Sequence, residues 1–303
     1  MFIRRTAREK IRFSPGDKLF YAFSYAIVTF SALIVLYPLI YIISASFSSA
    51  SAVSTGKVIL WPVDPSIEGY KKVFADSAIW TSYANTIFYT VVGTFINVAI
   101  TLFCAYPLAR KGLPHKGFFT FLFSFTMMFS GGMIPSYLLI RDLGFINTRW
   151  AVIIPGALAV YQMIVTRTFF QTTLPQELLE ATQVDGCNDF RFFLQFALPL
   201  SKAVIAVIAM QYAIVHWNDY FNAFLYLSKE ELYPLQIILR RILVLSQIAA
   251  GDIEDPDLAA AMAGMSDLLK YALIVVATVP ILCVYPFIQK YFVHGVMIGS
   301  LKG

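Results

Sequence analysis

Long uncharged apolar runs alternate along this chain with short charged connectors. A helix that crosses a bilayer needs about 20 mostly apolar residues. Six runs approach or exceed that length, at roughly 19–44, 84–109, 118–139, 150–168, 200–217 and 271–289. The first is uncharged from Leu19 to Phe47. It far exceeds the ~7–15-residue core of a signal peptide. It is therefore expected to stay as an anchor, uncleaved at the small residues SASFSSASA behind it. Prolines and a glycine inside the runs (Pro38, Gly93, Pro107, Pro135, Pro155, Pro280, Pro286) are tolerable where neighbouring helices satisfy the freed backbone groups. A shorter apolar stretch, YPLQIILRRILVL from Tyr233, carries Arg240 and Arg241 in its middle. Charge at the bilayer centre is costly, so this stretch is expected to be an amphipathic helix on an external loop.

Composition agrees with a lipid solvent. Of 303 residues, 58% are hydrophobic and 14% charged, against about 25% charged in soluble domains. The net charge of +5 then bears on topology rather than on nucleic acid. Bases concentrate in the N-terminal RRTAREKIR and in the RKGLPHK turn at 110–116. Basic connectors stay cytoplasmic, which puts both termini inside. The expected organisation is one all-α membrane domain. Residues 1–18 form a cytoplasmic segment and 19–69 the first span with its external loop. Residues 70–290 form the core, with a cytoplasmic connector at 170–199 and an external loop at 218–270 made acidic by Asp252, Glu254, Asp255 and Asp257. Residues 291–303 are a cytoplasmic tail.

Several chemistries are disfavoured. The spans contain essentially no Asp, Glu, Lys or Arg, whereas ion-coupled carriers place ionisable groups near the midplane. Neutral Asn85, Asn97, Thr101, Gln162 and Gln211 read first as packing groups. The energy for any transport is thus expected to come from another protein. His115, His216 and His294 are far apart, so no metal triad is indicated. Cys104, Cys187 and Cys283 show no pairing or metal spacing. Asp185 and Asp189 form a D-x-x-x-D, but no second acidic cluster is expected on the same side of the membrane, as a diphosphate-handling membrane enzyme would need. Tyr137, Gln162, Gln211, Tyr212 and Trp217 are the candidate contacts for a polar solute, because sugars are held by aromatic faces and neutral hydrogen-bonding groups.

The connector from Glu177 to Pro199, ELLEATQVDGCNDFRFFLQFALP, is the most informative segment. Thr173 with Gln176 fits a capping box, and Pro175 fits a first helical turn. That helix is expected to run to about Val184 and stop at Gly186. Asn188 or Asp189 then caps a second short helix. Phe190, Phe193, Leu194 and Ala197 would form its apolar face, and Pro199 leads into the fifth span. The result is a helix–turn–helix elbow with a polar turn and an apolar underside.

Glu180-Ala181-Thr182, three residues, Gly186, nine residues, Phe196, one residue, Leu198-Pro199 resembles the EAA loop of binding-protein-dependent ABC importer permeases. That family's pattern is E-A-A, three, G, nine, I, one, L-P; Thr182 and Phe196 depart from it. The segments FSGGMIPSYLLIRDLGFINTRWAVIIPG (129–156), HWNDYFNAFLYL (216–227) and YFVHGVMIGSLKG are similar to the carbohydrate, maltose-permease-like branch, and within it to the lipoprotein or complex-oligosaccharide permeases. The resemblance implies the type I importer fold with six transmembrane helices in a bacterial inner membrane. It implies a non-catalytic half-pore paired with a second, different permease and fed an oligosaccharide by an extracellular binding protein. ATP and Mg would sit on a dimeric cytoplasmic ATPase, with no cofactor or metal on this chain. Coupling would fall to Glu177, Glu180, Ala181, Asp185, Gly186, Asn188, Asp189, Leu198 and Pro199, and the tail Ser300, Leu301, Lys302 and Gly303 would reach the ATPase interface. The alternatives are a same-fold permease for a peptide or polyamine and, more remotely, a membrane enzyme.

Overall fold

The computed structural model describes residues 14–249 and 256–298. Among the described residues the regular structure is helical throughout, without a strand. In chain order the helices are α1 (Pro15–Ser46), α2 (Ala50–Ser54), α3 (Glu68–Ala75), α4 (Ser77–Ala109), α5 (Lys116–Met128), α6 (Met133–Asp142), α7 (Trp150–Ile153), α8 (Val160–Thr173), α9 (Gln176–Val184), α10 (Asp189–Phe192), α11 (Leu198–Leu200), α12 (Lys202–Asn218), α13 (Phe221–Tyr226), α14 (Leu235–Ala249) and α15 (Pro256–Ile298). A π-helical turn, Phe193–Ala197, joins α10 to α11.

Helix α4 is the spine. Its 33 residues span about 50 Å at 1.5 Å per residue, more than the ~30 Å hydrocarbon core. Its buried stripe, including Ile79, Ser82, Thr86, Tyr89, Gly93, Asn97, Thr101, Ala105 and Leu108, recurs every three or four residues. Most of these are small or polar. That is the stripe expected where helices associate without a hydrophobic drive and rely on close approach and interhelical hydrogen bonds. Helices α8 and α12 pack along it, and α15 closes against α12, α14 and α1. The Thr101 hydroxyl meets the Tyr212 hydroxyl at 2.7 Å. Trp217 Nε1 donates to the Ala277 carbonyl at 3.0 Å.

Helix α1 starts with a complete capping box. Asp17 N–H donates to Ser14 Oγ at 3.3 Å, and Ser14 N–H donates to Asp17 Oδ2 at 3.0 Å. Most of its apolar side chains are exposed, and only Ser44, Ala45 and Ser46 are buried. An apolar rod with no protein cover is stable only in lipid or against a partner.

The expected spans are met unevenly. Three helices are individually long and apolar enough to cross a bilayer: Pro15–Ser46, Ser77–Ala109 and Gly264–Val284 within α15. The run expected at 118–139 is α5 and α6, bent by 114°. The bend falls at Ser130-Gly131-Gly132, with Gly132 at φ +85°. The run expected at 150–168 is also discontinuous: α7 is a four-residue stub, and α8 begins only at Val160. Pro155 lacks the N–H a continuous helix needs there. Helix α12 forms an 81° bend with the Asp189–Leu200 segment before it. The last helix is longer than expected, beginning at Pro256.

Tyr233–Leu245 behaves as its pattern predicts. Leu235, Ile237 and Ile238 are buried, while Arg240 and Arg241 are exposed. Arg241 pairs with Glu230 at 2.8 Å, and Arg240 lies over the Tyr220 and Phe224 rings at 4.9 and 5.0 Å. Asp252, Glu254 and Asp255 lie outside the described residues.

Candidate functional site

At the Ala109 end of α4 the connector folds into the expected elbow, with different capping. Thr173 is the last residue of α8, so it cannot cap α9; Pro175 occupies the N-cap and makes no side-chain cap hydrogen bond. The extended backbone at Leu174 and Pro175 separates the two helices, and a proline is restrictive on the residue before it. At its C-terminus, α9 ends where predicted. Cys187 N–H donates to the Thr182 carbonyl at 2.9 Å and Gly186 N–H to the Gln183 carbonyl at 3.0 Å, with Gly186 at φ +78°. These paired bonds form a Schellman motif, and the left-handed position favours glycine.

Asn188 caps α10, its Oδ1 accepting from Arg191 N–H at 2.8 Å. The apolar face differs from the expected one. Phe192, Phe193 and Ala197 are buried and Phe196 is half-buried, but Phe190 and Leu194 are exposed. The π turn widens the helix at Phe193–Ala197 and shifts the register away from a regular 3.6-residue period.

Beneath the elbow, Leu179, Phe192 and Phe193 join one apolar cluster with Tyr106, Phe170 and Met163. Arg110, just past α4, ties the second limb in place. Its Nη2 donates to Asp189 Oδ1 at 3.2 Å, and its guanidinium lies over Tyr106 and Phe192 at 5.6 and 5.7 Å. Lys116 Nζ donates to the Arg110 carbonyl at 3.1 Å. The elbow is thus keyed to the end of α4, and through Arg110 to the start of α5.

Its outer surface is chemically distinct. Glu177, Glu180, Ala181, Asp185 and Gly186 are exposed, and Val184 stands among them 88% exposed. Among the described residues Glu177, Glu180 and Asp185 form no ion pair. Pro199 is exposed, and Leu198 is half-buried. An apolar side chain beside unpaired carboxylates is complementary to an apolar cleft with a basic rim. Two contributors were not apparent from the sequence. Val184 had no signal beyond its place before the turn, and Arg110 counted only as a topology charge. Ser300, Leu301, Lys302 and Gly303 lie outside the described residues.

The solute candidates divide into two groups. Gln162, Gln211 and Tyr212 come together at a partly open cavity of about 270 Å³, beside the break between α7 and α8. Tyr212 is largely structural: its hydroxyl accepts from Ala159 N–H at 3.1 Å and bonds Thr101. Trp217 is buried against α15 through its bond to Ala277. Tyr137 stacks on Tyr226 at 6.2 Å in a separate cluster. The same cavity also collects Asn97, His216, Asp219 and Asn222. The sequence marked 216–227 only through its resemblance, and it gave no sign that α4 would deliver Asn97 to that segment.

Among the described residues no group of three or more His, Cys, Asp or Glu side chains could hold a metal ion, and the three cysteines are free. The chain thus presents a helical body with three helices long and apolar enough to cross a membrane, a keyed polar elbow at one end and a polar cavity at a broken span.

No family model matches the chain. The chain is 39% identical over 287 residues, 95% of this chain and 99% of the relative, to a Bacillus subtilis protein described as the polygalacturonan/rhamnogalacturonan transport system permease YtcP. It is 40% identical over 270 residues to Bacillus subtilis LplC, covering 89% of this chain and 90% of that one. Its fold matches a chain in the crystal structure of a bacterial ABC transporter that imports the acidic polysaccharide alginate. The TM-score is 0.84 at 36% identity, over 93% of this chain and 100% of the matched one. The chain therefore belongs to the permease subunits of carbohydrate ABC importers. It is a multi-pass protein of the bacterial inner membrane and a non-catalytic subunit.

Proposed function

We propose that this chain is one half of the pore of an importer for an oligosaccharide. Its other half is a second, different permease, and its motor is a dimeric cytoplasmic ATPase that holds the ATP and Mg. The observation that carries the coupling is the elbow: Val184 and its carboxylates project outward, while Arg110 and the Phe192–Phe193 pair lock the base to the membrane helices. A closing ATPase dimer would move that lever as a rigid body, the displacement needed to switch a pore between its two faces. We read six crossings, from the three long helices, the two bent pairs and the broken 150–173 run, which would put both termini and the elbow in the cytoplasm, in keeping with the basic 110–116 turn. The opposite end, with α13, α14 and the 228–234 turn, then faces the substrate-binding protein. The tail 300–303 is assigned to the ATPase interface on resemblance alone.

The cargo class follows from the relatives. One is described as a polygalacturonan/rhamnogalacturonan permease and another belongs to an alginate importer; both cargoes are acidic saccharide chains. We assign the same broad class here. The test is reconstitution of the chain with its second permease, ATPase and binding protein in liposomes. Uptake of galacturonate oligomers should require both ATP and the binding protein. Accumulation without ATP, or uptake of a peptide or polyamine in place of the saccharide, would contradict the assignment.

A further inference from the structure

The cavity at the broken span is lined by neutral polar side chains and one carboxylate. Asn97 Oδ1, Gln211 Oε1 and His216 Nδ1 are buried and have no hydrogen-bond partner. Asn97 Nδ2 is occupied, donating to the Gly156 carbonyl at 3.2 Å and facing His216 Nε2 at 3.1 Å. Gln162 lines the same space. The three unpartnered atoms are enclosed by protein, and the half-buried Gln162, Gln211, Asp219 and Asn222 supply the polar surface of the cavity. At about 270 Å³ the space far exceeds the ~10–15 Å³ that admits a single water. It approaches the ~300–1,000 Å³ of small-molecule sites.

The charge pattern narrows the ligand. The described lining residues include one acid, Asp219, and no Lys or Arg. Asp219 is held in place: its Oδ1 accepts from Asn222 N–H at 3.1 Å and its Oδ2 from Asn222 Nδ2 at 2.7 Å. A fixed carboxylate accepts from hydroxyls and repels another carboxylate. Amide groups likewise suit hydroxyls. The discontinuous backbone at 154–159 sits beside these groups, and non-helical backbone at membrane depth is tolerated where it lines a cavity.

We infer that this cavity is a saccharide subsite on this chain that reads the hydroxyl edge of a sugar ring through Gln211, Gln162 and Asp219 and turns carboxylates away. A uronate ring would pass with its hydroxyls toward this chain and its carboxylate toward the partner permease. The inference rests on the importer assignment above and specifies which edge of the cargo this subunit contacts.

The test uses the complete reconstituted importer and two probes of equal length, a galacturonate oligomer and a neutral galactose oligomer. Asp219→Asn, which keeps an acceptor for Asn222, should raise the uronate-to-neutral ratio of kcat/KM about fivefold or more, as removal of a like charge predicts. Gln211→Leu should lower kcat/KM for both probes about tenfold, the size of one lost hydrogen bond to a bound ligand. Co-purification of the ATPase reports assembly, and if the Gln211→Leu complex does not assemble, Asp219→Asn decides alone. An unchanged ratio in an assembled Asp219→Asn complex overturns the subsite. If the wild-type complex takes up neither probe, it is the importer assignment that fails.

Discussion

Gly186→Val is expected to leave ATP hydrolysis running while uptake falls roughly tenfold or more, because a β-branched residue at φ > 0 costs on the order of 1–2 kcal/mol. The native φ is +78°, and the Schellman bonds from Gly186 and Cys187 depend on it. A relaxed backbone would redirect Val184 and Asp185, the residues at the tip of the lever. Space is not the obstacle, since a Cβ at this position would meet nothing within 4 Å. Gly186→Asn, which tolerates the left-handed region, should therefore retain most uptake. Parallel assays of ATP hydrolysis and uptake check this, and equal loss in both variants would show that side-chain bulk against the partner, rather than backbone geometry, is what matters.

Gly93→Val is expected to destabilise the whole membrane body. A Cβ at residue 93 would lie 2.5 Å from His216 Nε2 and within 2.8 Å of two further ring atoms. The ring is buried and faces Asn97, so it has little freedom to withdraw. Overpacking of this kind costs about 1–3 kcal/mol, which should appear as a lower melting temperature in detergent and reduced yield of assembled complex. Adding His216→Ala removes the obstructing ring and should restore the melting temperature without restoring uptake, since the cavity loses one of its groups. A double variant no more stable than Gly93→Val would show that α4 and α12 do not meet at this crossing.

Much of the elbow was legible because its determinants are local. Gly186 stops α9, and Asn188 starts α10, through bonds within a few residues of each. Where prediction and structure diverged, longer-range geometry decided. Thr173 and Gln176 match a capping box by spacing, yet Thr173 is committed to α8 and the chain turns at Leu174-Pro175. Phe190, Phe193, Leu194 and Ala197 fit an apolar stripe, yet beside the π turn only Phe193 and Ala197 of these are buried, and Phe192 joins them. Hydropathy located every apolar run but could not report backbone continuity, so the breaks at 129–132 and 154–159 looked like uninterrupted spans. The cavity was the least visible feature. Asn97, Gln162, Gln211 and His216 come from three helices; Gln162 and Gln211 were solute candidates, but nothing in the sequence joined them to Asn97 or His216.

The coupling assignment is tested most directly at Val184. Val184→Cys in the assembled importer, reacted with a short bifunctional crosslinker, is predicted to join this chain to the ATPase from the cytoplasmic side, with a yield that changes between nucleotide-free and ATP-bound complexes. Modification of that cysteine from the extracellular face, or a crosslink to no nucleotide-binding subunit in either state, would contradict the account.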